Sequence, residues 1–274
     1  MPTTLPFRPL LLAVALLTMS SCSLAGTPSS SAQDPSTQPG IPVSATPIRL
    51  TIPSGLATSA SAETIDTVTD QTGAPWDVAP AHLQLTFQGY PVQASFHVPQ
   101  LFVYPMDEYA TLNPAAAESI SRLNAVLANP FAAGNLNALP RVPFFNAGQV
   151  LAAQAKVIQF HGGSGVRFVA HYTRDISPIN NGGLFYHLEG LTDDGRYYIV
   201  GVLPINLPFL ADNNNPDLPV PTGGVPFPAP SASPLSYTDY YSQIGRLIDA
   251  APNDQFSPSL DLLDALTQSI TVDH

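Results

Sequence analysis

His161, His171 and His187 fall close together in the chain, so zinc chemistry is the first possibility they raise. A zinc ion needs three or four ligands converging at about 2.0–2.2 Å. If the GGSG at 162–165 is a hairpin turn, His161 lies opposite Val166 and Lys156 opposite His171. Side chains along a strand alternate between faces, so His161 and His171 then stand about five positions apart and on opposite sides of the sheet. They cannot share a metal and read as strand-surface or core-edge histidines. His82 and His97 flank a different hairpin, with no carboxylate at a defined spacing. DNNNPD, 212–217, is rich in oxygens, but Pro216 occupies the third calcium-ligand position and no glycine follows. Asp107-Glu108 and Asp193-Asp194 are adjacent pairs, and neighbours in a strand point apart, so neither makes an acid/base couple. No metal and no cofactor is expected.

Nucleophilic chemistry fares no better. HGGSG, 161–165, resembles the HGGG oxyanion loop of α/β-hydrolases, but the G-x-S-x-G elbow that loop serves is missing from the chain. There is also no Walker loop and no dinucleotide fingerprint. A hydrolase-like extracytoplasmic enzyme with a dispersed active site is the alternative reading. The aromatic residues offer binding instead. Phe185, Tyr186, Tyr197 and Tyr198 lie on facing arms of one hairpin, with Tyr172 close in sequence. Exposed tyrosines anchor protein partners or stack on sugars, so these five form a candidate binding surface. The competing reading is that they are cross-strand pairs that stabilise the sheet.

The elements that must position these residues are legible. HLQLTFQG, 82–89, alternates apolar and polar side chains and predicts a half-buried strand. Asn113 before Pro114, with Ile120, Leu123 and Leu127 on one face, predicts a helix over 114–128. The spans 156–161, 166–174, 184–189 and 197–203 predict four antiparallel strands, with Asp194-Gly195 as one turn. Helices follow near 238–250 and 258–269, the second opened by Ser257-Pro258. No helix fits between the central strands, which excludes a doubly wound fold. The pattern predicts an α+β domain: a mainly antiparallel sheet with helices, the C-terminal ones included, over one face.

At the front, LLLAVALL (10–17) follows Arg8 as a secretory signal would, and its apolar core is far shorter than the roughly 20 residues of a membrane span. The only cysteine, Cys22, cannot form an internal disulfide. Residues 23–47 are Ser, Thr, Pro, Ala and Gly-rich and read as a flexible tether. The layout is therefore a signal at 1–21, Cys22 and its tether through 47, and one domain over 48–274. With 9 Lys plus Arg against 20 Asp plus Glu and no basic stripe, nucleic acid is not a partner.

Met19-Ser20-Ser21-Cys22 resembles the lipobox of bacterial lipoproteins, with Met19 where Leu is commoner. The resemblance implies that Cys22 is acylated and becomes the mature N-terminus, on the extracytoplasmic side of a bacterial membrane. Attachment would be through the lipid, with a protein or glycan as the further partner and a non-catalytic binding or structural role. The run from Pro140 to Ile205 resembles a group of lipoproteins frequent in Chloroflexi-type bacteria, for which no activity is assigned and no site transfers. SLDLLDALTQSITV, near the end, is faintly similar to the last helix and strand of PsbP/Mog1-like domains.

Overall fold

The computed structural model describes residues 40–70, 73–130 and 136–273. The signal, Cys22 and the tether up to residue 39 lie outside them. The described chain opens with a hairpin, β1 (Ile41–Ala45) and β2 (Ile48–Ile52). A first meander follows: β3 (Ser59–Ile65), β4 (His82–Gln88) and β5 (Gln100–Pro105). Then come α1 (Met106–Leu112) and α2 (Pro114–Ala128). A second meander comprises β6 (Gly148–Phe160), β7 (Gly163–Thr173), β8 (Leu184–Thr192) and β9 (Tyr197–Pro204). The chain closes with α3 (Pro234–Asp249), α4 (Leu260–Gln268) and the short β10 (Thr271–Val272).

The two meanders join through β5 and β9 into one seven-stranded antiparallel sheet, in the order β3-β4-β5-β9-β8-β7-β6. β1, β2 and β10 make a separate three-stranded sheet. Because β9 returns beside β5, the chain leaving β5 must first cross the whole width of the second meander. Four strand spacings amount to about 19 Å, and a 15-residue helix is about 22 Å long, so α2 is of the right size to make that crossing.

The α+β class and the antiparallel order of the central strands are present as expected, and the C-terminal helices pack on one face. On that face Leu188, Tyr186, Ile199 and Leu203 meet Ile244 and Ile248 of α3 and Leu263 and Leu266 of α4. The opposite face is covered as well: Phe102, Phe168, Phe185 and Val200 pack with Tyr109 of α1 and Ile120 and Leu123 of α2. The physical reason lies in β8, all nine of whose residues are buried. A strand buried on both sides needs a layer on each.

Three local differences follow from turn and cap chemistry. The β6–β7 turn is tighter than GGSG: Phe160 pairs with Gly163, leaving His161 and Gly162 as the turn, with Gly162 at φ 87°. Lys156 therefore faces Arg167 rather than His171. Helix α4 begins after Ser259, whose hydroxyl accepts from Leu262 N, and not at Ser257-Pro258. Residues 41–45, read as tether from their composition, form β1 because β2 presents an apolar ladder for them to pair with.

Candidate functional site

The aromatic candidates do not form an exposed surface. Phe185, Tyr186 and Tyr198 are 0% exposed, because helices cover both faces of the hairpin that carries them. Tyr186 points toward α4 and donates to Asp264 Oδ1 at 3.0 Å. Tyr198 points toward α2 and donates to Glu189 Oε2. Burial, and then the neighbouring carboxylate, hold both phenols well above their ordinary pKa. Tyr197 is half-buried, with the Arg196 guanidinium 5.6 Å from its ring centroid. Tyr172 is half-buried too and is the one member that lines a cleft.

The histidines are separated by strand parity. His171 shares its side of β7 with Val169, facing the C-terminal helices, whereas His187 stacks near Phe168 on the α2 side. His161 sits in the turn and bridges Thr271. Among the described residues no three His, Cys, Asp or Glu side chains converge as a metal site would require.

The structure does gather a set of chemically competent groups under α2. Ser119 Oγ lies 2.8 Å from both Glu189 Oε2 and the Arg141 carbonyl, and accepts from Arg141 N at 2.9 Å. His187 Nε2 is 2.9 Å from Glu189 Oε1, but the ring is turned so that neither nitrogen has an aligned partner. Serine, carboxylate and imidazole are the groups of a hydrolytic triad, but they stand here in the wrong order. The carboxylate lies between the other two, so the imidazole does not reach the hydroxyl. His187 and Glu189 are 0% exposed and Ser119 is 1% exposed. The arrangement ties α2 and the 141–142 segment to the sheet.

A second buried polar group lies on the other face. Asp264 of α4 accepts from Arg167 Nε at 2.8 Å and Lys156 Nζ at 2.9 Å. Arg167 also donates to the carbonyl of Gln154, which sits in a β-bulge at φ 57°. The Gln154 amide reaches the carbonyls of Ile248, Asp249 and Ala251, satisfying the open end of α3.

Beside Ser119 a cleft of about 200 Å³ opens between α2 and the segment leading into β6. Its wall includes Glu118, Arg122, Arg141, Phe145, Gln149 and Tyr172. The Tyr172 hydroxyl donates to Gln149 Oε1 at 2.7 Å and accepts from Val142 N at 3.0 Å. Burial raises the Tyr172 phenol, while the Val142 amide and the Arg141 charge act against it. Arg122 is committed to Glu118, one turn earlier on α2, at 2.6 Å. The cleft is thus a small concavity with a fixed polar wall, an aromatic side and arginine at its rim. Such an arrangement is suited to holding a small ligand. Sequence reasoning named Tyr172 but not Ser119, Glu189 or Arg141. A single Glu inside the apolar run LFYHLEGL was the available signal, since a buried carboxylate requires partners.

Comparison of the chain with known protein families, curated proteins and solved structures gives no match.

Proposed function

We propose that this chain is an extracytoplasmic lipoprotein, held at a bacterial membrane by acylated Cys22, whose domain acts by binding a protein or glycan rather than by catalysis. The observation that carries the anchor is the apolar run 10–17 followed by Met19-Ser20-Ser21-Cys22. A single acyl chain gives marginal attachment and each buried methylene adds about 0.8 kcal/mol, so the several chains usual at such a cysteine would hold the protein firmly. The binding half of the reading is supported by the enclosure of Ser119, Glu189 and His187 beneath α2, beside a cleft that remains open.

The test is the intact mass of protein extracted from its native membrane, together with fractionation of Cys22→Ala. The expected outcome is a mature chain starting at Cys22 with added acyl mass, and loss of the variant from the membrane fraction. An unmodified N-terminus elsewhere, or a variant that still sediments with membranes, would refute the reading.

A further inference from the structure

We infer that the cleft between α2 and the 141–149 segment binds a small organic carboxylate, with Arg141 as its principal ligand. The inference rests on the reading of the domain as a binding module and is independent of the lipid anchor.

The first observation concerns charge. The chain has formal net charge −11 and only nine cationic residues. Five of these are tied to carboxylates: Arg49 to Asp273, Arg122 to Glu118, Lys156 and Arg167 to Asp264, and Arg196 to Asp194. Arg246 is held by Ser242. Arg141 is exposed, and among the described residues no carboxylate lies within 4.0 Å of it. Its backbone, by contrast, is fixed through Ser119 to the buried Glu189.

The second concerns the surroundings. Arg174 donates to the carbonyl of Asn146, which lies in sequence between the lining residues Phe145 and Ala147, at 3.1 Å. Glu118, the one carboxylate in the lining, is committed to Arg122. Of the two arginines in the lining, Arg141 is thus the one whose guanidinium has no carboxylate partner among the described residues, and it can receive an incoming anion. A guanidinium fork matches a carboxylate in a bidentate manner.

The third concerns size and polarity. About 200 Å³ accommodates a group of the size of one sugar acid or one amino acid. Pro143 and Phe145 supply an apolar side for the body of such a molecule. That side would be wasted on a bare inorganic anion, which favours an organic carboxylate.

The experiment is calorimetric titration of the full chain, in detergent, with sodium D-glucuronate and with N-acetylglycine. Glucose is the uncharged control and inorganic phosphate the competitor. Saturable binding of at least one carboxylate is expected, weakened about tenfold or more in Arg141→Gln, with the melting temperature and the effect of Arg246→Gln unchanged. Binding of glucuronate alone assigns the carboxylate to a sugar; binding of N-acetylglycine alone assigns it to an amino acid or peptide. Should Arg141→Gln melt early, Arg141→Lys, which keeps the charge but not the fork, is expected to show the same direction of loss. The inference is overturned if neither carboxylate binds, if glucose binds as well, if the Arg141 variants bind like the parent, or if phosphate displaces the ligand at equal concentration. Such a failure would remove the cleft assignment only; the anchor reading stands or falls separately, on the mass and fractionation at Cys22.

Discussion

His171 is held in one protonation state by its neighbours. Asn180 gives its side-chain N–H to His171 Nε2 at 3.2 Å, and its orientation is fixed because its own oxygen accepts from Gly183 N. The imidazole is 3% exposed, and a Cβ at Gly183 would stand 2.5 Å from Nε2. A proton added at Nε2 would point at another N–H. Burial first, and then nearby His97, push the His171 pKa down to about 4. Burial likewise lowers His97 to about 4, outweighing its hydrogen bond to the Gly183 backbone. In the unfolded chain both titrate near 6.5, so between pH 6.5 and 4 the unfolded state binds more protons. Stability is therefore full above about pH 6.5 and falls as the pH drops toward 4, by on the order of 3 kcal/mol for a histidine shifted that far. Urea midpoints measured at pH 7, 5.5 and 4 are expected to decline in that order. His171→Gln, neutral throughout, is expected to flatten part of that slope; an unchanged slope would rule out His171 as its source.

At the scale of elements, helix α2 depends on the residue that caps its start. Asn113 Oδ1 accepts from Ala115 N at 2.9 Å and Ala116 N at 3.3 Å, while Nδ2 donates to the Val78 carbonyl at 2.9 Å. Asn113→Ala removes the cap and that cross-link, and about 1–2 kcal/mol of loss is expected in chemical denaturation. The pairing of β7 with β8 is similarly sensitive at Gly165, where a Cβ would lie 2.3 Å from the Glu189 carbonyl. Gly165→Ala is expected to lower the melting temperature clearly, as the two strands must part to admit the methyl group. The extent of α2 was readable from sequence, because a cap, a proline at the first turn and a clear stripe act together. The hairpin β8–β9 was readable from Asp194-Gly195, with Gly195 at φ 70°. What period-two alternation cannot reveal is whether a second layer covers the other face. Tyr186 and Tyr198 read as a surface for that reason, and α1, only seven residues long, left too little pattern to separate it from a loop.

At the scale of the whole molecule, Asp264 joins parts that are distant in the chain: α4, β6 through Lys156, and β7 through Arg167. Removing it leaves Arg167, 3% exposed, as an uncompensated buried charge. Asp264→Ala is expected to destabilise by about 3–5 kcal/mol in equilibrium unfolding. A loss below 1 kcal/mol would show that water reaches Arg167. Contacts of this reach are where the sequence was least informative: Ser119 and Glu189 lie 70 residues apart, and only the crossing of α2 over β8 brings them together.

The hairpin β1–β2 has a further, mechanical consequence. Ile41 pairs with Ile52, so the start of β1 and the point where β2 leaves for the rest of the domain lie at the same end of the ladder. Tension applied through the residues before Gly40 would load one backbone pair at a time and peel β1 away, rather than shear all five pairs together. β2 would stay behind, held by β10 on its other side and by the buried Ile48, Leu50 and Ile52. The first strand would then pay out as extra leash under strain while the sheet, and the cleft on it, kept their shape. In optical-tweezer pulling from the N-terminal side, an early low-force extension of a few residues before the main rupture is expected, and its absence would show that β1 is gripped more firmly than its ladder implies.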